Sequence, residues 1–229
     1  MKLSTIATVL ALSVAVSACD DKKETPKSEP TSAQEPVKKA DTPPAPTAAQ
    51  EPGAAPKLAD AKGSYELDPA HSTIVFSAKH AGFSWTYGMF TKVTGKMNLA
   101  DEPDKSSVEI EADAGSVFTA VKKRDDHLKG GDFLNATQFP KITFKSTKIE
   151  AAGDGKYKVT GDLTLHGVTK PVTVEMTHVG AGEFPVDKSF RTGFEGSFTI
   201  KRSDFDMKNM LAAASDELRL TVAVEGVRK

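Results

Sequence analysis

The chain has 229 residues, and its 30 lysines and arginines nearly balance its 31 aspartates and glutamates, so it offers no basic footprint for a nucleic acid. A single cysteine excludes a disulfide framework. The length admits one domain, or one domain with tails.

Tails are what the N-terminal end indicates. Met1 and Lys2 precede an apolar, small-residue run from Leu3 to Ala18, shorter than the roughly 20 residues of a membrane span, which reads as a secretory signal. Its end, Val16-Ser17-Ala18-Cys19, resembles the bacterial lipobox, in which the signal is cut before a cysteine that carries acyl chains. Cys19 is thus the expected lipid attachment site, on a membrane of the bacterial cell envelope facing the periplasm, and no thiol remains for redox or nucleophilic work. Residues 19–62 hold Pro26, Pro30, Pro36, Pro43, Pro44, Pro46, Pro52 and Pro56 among Ala, Thr, Lys and Glu, with no apolar period to bury. This composition reads as a disordered tether with a reach of about 40 Å.

From residue 63 to 229 a period of two recurs, the mark of strands with one buried face. Tyr65 and Leu67 open a short strand; Ile74, Phe76 and Ala78 follow. Met89, Val93, Met97 and Leu99 share a parity across a segment in which Gly88 and Gly95 predict bends or bulges. Val108, Ile110, Ala112 and Ala114 alternate with acids, and Ile142 and Phe144 oppose Thr143 and Lys145. The longest signal is Tyr157–Met176, a hairpin whose arms place Tyr157, Val159, Leu163 and Leu165, then Val172, Val174 and Met176, on one face. Gly167 and Pro171 in its middle predict a connection longer than two residues. Phe190, Phe194, Phe198 and Ile200, then Leu218, Leu220, Val222 and Val224, complete about eight strands. Strands near 30 Å long, each apolar on one side, predict an all-β fold: an eight-stranded antiparallel barrel that closes on itself to remove its edges, with a two-sheet sandwich as the alternative. Val121 to Gln138 breaks the pattern and predicts a short helical insertion, with Val121, Leu128, Phe133 and Leu134 as its apolar side, lying over the sheet or plugging one barrel end.

The chemistry of a catalytic site is missing. His71, His80, His127, His166 and His178 are scattered without HExxH or paired ligand spacing, so no metal is expected. His71 and His127 are expected to hydrogen-bond and cap, His166 to sit in a turn, and His80 and His178 to end strands at a rim. Arg124, Asp125, Asp126 and His127 read as an ion-pair network at a helix start rather than an acid-base set. Ser72 follows His71, but no GxSxG elbow, phosphate loop or dinucleotide fingerprint is present.

Several motifs in order resemble the YceI-like family. Tyr65-Glu66-Leu67-Asp68-Pro69-Ala70-His71-Ser72, with Phe76, His80, Gly88-Met89-Phe90 and Gly95, is similar to its opening. Arg124-Asp125-Asp126-His127-Leu128, Asp132-Phe133-Leu134 and Phe139-Pro140-Lys141-Ile142-Thr143-Phe144-Lys145-Ser146 are similar to its centre, and Gly161–Val172 to its later signature. Asp206 stands where the family usually has glycine, in a turn that asks for positive φ. The resemblance implies a periplasmic, lipocalin-like barrel holding a polyisoprenoid or another long-chain lipid, and no enzyme. Together with the apolar parity it nominates as ligand contacts Phe76, Phe90, Phe144, Val159, Leu163, Leu165, Val174, Met176, Phe194, Phe198, Leu220 and Val222. Lys122, Lys123, Arg124 and Arg202 are candidates to meet an anionic head group. No cofactor is expected beyond such a lipid, and the partners are that lipid and the membrane. The rival reading is a structural or stress-response module of the envelope with a filled core.

Overall fold

The computed structural model describes residues 61–229; the signal-like segment, Cys19 and the proline-rich stretch to residue 60 lie outside the described residues. In chain order the strands are β1 (Gly63–Leu67), β2 (Thr73–His80), β3 (Ser84–Phe90), β4 (Val93–Leu99), β5 (Ser107–Asp113), β6 (Val117–Phe118), β7 (Lys141–Gly153), β8 (Lys156–Leu165), β9 (Val168–Glu183), β10 (Phe190–Lys201) and β11 (Ala214–Arg228). One helix, α1 (Lys122–Lys129), lies between β6 and β7.

These strands close into the expected barrel of eight antiparallel staves, five of them single strands. The other three are each built from two shorter strands end to end. β11 pairs with β2 over Ala214–Ala223 and with β1 over Gly226–Arg228, so β1 and β2 form one stave interrupted at Asp68–Ser72. β4 pairs with β1 and β3 with β2; β5 and β6 continue the same way. β7, β8, β9 and β10 then lead round to β11. The alternation that predicted the strands decides which residues face inward. β8 shows it plainly, with Tyr157, Val159, Gly161, Leu163 and Leu165 buried between exposed or half-exposed neighbours.

Three local readings need correction. The β8–β9 connection is the two-residue minimum, not a longer loop: His166 (φ 52°) and Gly167 (φ 75°) both take the left-handed conformation that a type I′ turn demands. Pro171 then falls inside β9 opposite Asp162, where β10 has not yet joined β9, so a residue without an N–H is tolerated at a free edge. Met89 faces outward, because the break at Thr91–Lys92 switches parity: Phe90 and Val93 both point in. His178 lies within β9 rather than at a strand end, and at 1% exposure it is buried.

The insertion plugs one end of the barrel. Leu134 joins Phe90, Val93, Val117, Leu163, Leu165, Phe205 and Met207 in a core cluster there, and Leu128 packs against it; Val121, by contrast, is exposed. Asp125, the buried acid of α1, accepts from the backbone N–H and hydroxyl of Thr119 and so ties the helix start to β6, while Arg124 donates to the same threonine. Asp206 adopts φ 62°, ψ 13°, so it supplies the left-handed turn that glycine would otherwise make. At the far end a second cluster gathers Tyr65, Leu67, Met97, Leu99, Ile149, Tyr157 and Val224.

Gly88 sits opposite Phe76 on the neighbouring strand, and a Cβ added there would run into the Phe76 ring and the Thr119 methyl. Gly88→Val is therefore expected to destabilise the barrel by about 1–3 kcal/mol through overpacking. A lowered urea midpoint with an unchanged slope is the measurement that checks it.

Candidate functional site

A cavity of about 210 Å³ occupies the barrel interior. That is more than ten times the ~15 Å³ that holds one water, yet its walls are hydrocarbon at nearly every point, so it is not a water channel. It runs from Met97, Leu99, Tyr157 and Met176 at the β1 end to Phe133, Leu128 and Ala214 at the α1 end. On β11 alone its wall extends from Ala214 to Val224, about 26 Å of strand once the irregularity between Ala214 and Leu218 is allowed for, or about 20 Å along the axis at the usual stave tilt.

All twelve residues nominated from parity and resemblance line this cavity: Phe76, Phe90, Phe144, Val159, Leu163, Leu165, Val174, Met176, Phe194, Phe198, Leu220 and Val222. Parity also implied Ile74, Ile110, Ile142, Leu218 and Val224, which line it too. Leu128, Phe133 and Leu134, expected on the apolar side of the insertion, line it as well. Met207, in the turn after β10, carried no signal of its own, and only the folded chain brings it onto the wall.

The four cations considered for a head group do not converge on the lumen. Lys122 is exposed and pairs with Asp126 at 2.6 Å, Lys123 is exposed, and Arg124 is engaged with Thr119. Arg202 is the one charged residue on the wall. It is buried, and its guanidinium donates from Nε to Ser215 O (3.0 Å), from Nη1 to Met207 O (2.8 Å) and from Nη2 to Ala214 O (2.8 Å), with Phe133 stacked over it. It therefore acts first as a staple that holds the β10–β11 connection across the barrel end. Burial lowers its pKa, though not enough to discharge a guanidinium.

Among the described residues the histidines stay apart from one another. His178 sits 2.8 Å from the Thr192 hydroxyl and stacks on Phe194, behind the wall; His166 Nδ1 meets Phe205 O at 3.2 Å; His127 meets Asp132 at 3.1 Å. His71 does meet two carboxylates that its spacing could not reveal, lying 2.8 Å from Asp68 and 4.0 Å from Glu225. The Arg191 guanidinium lies between those acids, 2.9 Å from Asp68 and 2.6 Å from Glu225, and also reaches Asp187 at 3.1 Å. This is an ion-pair network at the β1–β2 break, in which one guanidinium bridges three carboxylates.

Comparisons with known proteins agree with this architecture. The YceI-like domain matches residues 65–226. A UPF0312 protein of Pseudomonas aeruginosa is 42% identical over 168 residues, 72% of this chain and 87% of that protein. A UPF0312 protein of Yersinia pestis is 42% identical over 167 residues, 72% and 86% respectively. Among solved structures, Burkholderia cenocepacia BcnA superposes with a TM-score of 0.63 at 27% identity, over 69% of this chain and 98% of its own. A Saccharophagus degradans domain, described as polyisoprenoid-binding and implicated in plant cell wall breakdown, shares the fold at a TM-score of 0.56 and 16% identity, over 72% and 98%.

The rim network gives stability a pH dependence of defined sign. The hydrogen bond from His71, then that from the Ala70 N–H, holds Asp68 below its usual range, and Ser189 with Arg191 lowers Asp187 to about 2. These acids contribute above their unfolded values near 4 and lose the contribution as pH falls. Asp68, then Glu225, raises His71, whose contribution is complete below about 6.5 and is lost as pH rises through its folded value. Thermal stability is expected to be greatest between about pH 4 and 6.5. His71→Ala should remove the decline on the alkaline side, which melting curves across that range will show.

Proposed function

The chain belongs to the YceI-like family, and on that premise we propose that it is a carrier that holds a long-chain isoprenoid or similar lipid in its barrel and performs no catalysis. The observation that carries this reading is the lumen: a cavity walled by hydrocarbon and about 20 Å long. That exceeds the ~15 Å depth of one bilayer leaflet, so the lumen can house a single long hydrocarbon chain in extended form. Left unfilled, an apolar void of this volume costs on the order of 5 kcal/mol, a large share of a domain's total stability. A filled core, as a purely structural module would have, avoids that cost. The Saccharophagus degradans domain described as polyisoprenoid-binding has the same fold, which makes the architecture a suitable housing for such a chain.

The energetics favour exchange over storage. Each CH₂ taken from water gains about 0.8 kcal/mol, which makes retention in an aqueous compartment strong. Measured from a bilayer, the same transfer gains almost nothing, so loading and unloading at a membrane are nearly reversible. Acyl chains on Cys19 would hold the barrel beside a periplasm-facing membrane and raise its effective concentration there.

Two measurements test the reading. Native mass spectrometry of protein gently extracted from its own host is expected to show a bound, hydrocarbon-rich lipid. Leu163→Lys and Phe194→Lys, whose ammonium burial costs several kcal/mol, should lose it. Val174→Phe, which overfills the lumen at a smaller folding cost of about 1–3 kcal/mol, should also lose it. Wild-type protein that carries no lipid would instead favour the structural module. Separately, cells fed an alkynyl fatty acid should label the wild-type chain and not Cys19→Ser. A labelled, membrane-bound Cys19→Ser protein would remove the anchor from the proposal.

A further inference from the structure

Two loop tips stand together at the α1 end and expose large apolar side chains. The β2–β3 tip carries Phe83, 88% exposed, and the β10–β11 connection carries Met210 (48%) and Leu211 (42%). Ala81 N–H donates to Ala213 O at 2.8 Å, which fixes the two tips side by side. Ala78 and Ala214, just behind them, line the lumen.

Behind the apex the chemistry changes in layers. Trp85 follows two residues down β3, about 7 Å along the strand. Lys79 lies opposite it in register, with its ammonium 5.6 Å from the ring, and the Arg219 guanidinium stacks on the same ring at 4.0 Å. Tyr87, 63% exposed, comes next on the same outer face. An apolar apex backed by amphipathic aromatics, with cations beside them at the same depth, matches the chemistry of a bilayer interface, where acyl chains lie beneath carbonyls and phosphates. The charge agrees. No aspartate or glutamate occurs from Pro69 to Ala100, and none from Met207 to Ser215. The acids that flank the second stretch are engaged: Asp206 pairs with Lys208 at 2.7 Å, Asp216 accepts from the Ser203 N–H and hydroxyl, and Glu217 lies 3.8 Å from Arg219.

We propose that these tips are a docking surface for an anionic lipid bilayer, which sets the lumen's α1 end against the acyl layer. Docking of this kind is separate from the lumen's contents and from any acyl chain on Cys19.

The test uses the full chain carrying Cys19→Ser, with Trp85, the only tryptophan, as reporter. On mixed phosphatidylethanolamine and phosphatidylglycerol vesicles, Trp85 emission is expected to shift to the blue and to be quenched by brominated acyl chains. Phe83→Ser and Leu211→Ser should each weaken partitioning at least about tenfold. Val186→Ser, which alters an equally exposed residue in the β9–β10 connection at the opposite end, should leave it unchanged. Added salt should weaken binding by screening. Absence of a shift and of co-sedimentation overturns the proposal, as does partitioning that the two tip variants do not alter. A blue shift without vesicles that grows with protein concentration overturns it in favour of self-association. Because partitioning is read at the surface, a protein that docks but carries no lipid separates this result from failure of the carrier reading.

Discussion

The barrel depends on one short seam. Tyr65, Glu66 and Leu67 of β1 pair with Arg228, Val227 and Gly226 of β11, and this pairing turns an open sheet into a closed wall. Without it β1 and the last residues of β11 would present unpaired backbone, and the wall would open to water at this end. Side chains reinforce the seam where the ladder is shortest. Arg228 donates to the Tyr65 hydroxyl at 3.1 Å and lies over the rings of Phe190 and Tyr65, while the Tyr65 hydroxyl donates to Ala61 O at 2.6 Å.

The seam is short because β11 has two partners along its length, and the stave that carries them must bend between the two. Asp68–Ser72 makes that bend. The network of Asp68, His71, Arg191 and Glu225 fastens it to β10 and β11, and the Asp68 N–H donates to Glu225 O at 2.8 Å. A group of residues that resembles a metal site thus serves the closure of the wall. Its polar groups partner one another at the rim, and Arg202 is the one charged side chain on the lumen wall.

The two barrel ends differ in kind. The β1 end combines a packed aromatic core with an ion-pair rim. At the α1 end an inserted helix, a stapled loop and exposed apolar tips surround the lumen. Arg202 links these features: its three carbonyl contacts hold Met207, Ala214 and Ser215, and the same residues lead into the loop that carries Met210 and Leu211. A wall this apolar selects a guest by the length and width of its chain. Discrimination between head groups must come from outside the wall.

The sequence determined the strands, their inward faces and the family, because a period of two allows only one face of each strand to be buried in a shared core. Val159, Leu163 and Leu165 could be assigned inward from alternation alone, and so could Leu220 and Val222. Closure could only be inferred, since pairing β1 with β11 joins the two ends of the folded region through a contact that leaves no local pattern. Only the tertiary structure placed Met207 and Arg202 on the lumen wall and buried His178 behind it. It alone brought His71 to Glu225 and joined the tip that carries Phe83 to the loop that carries Leu211. Met89 turned outward at a local two-residue break; the other placements depend on contacts between separate segments, where composition and spacing carry no information about which surfaces meet.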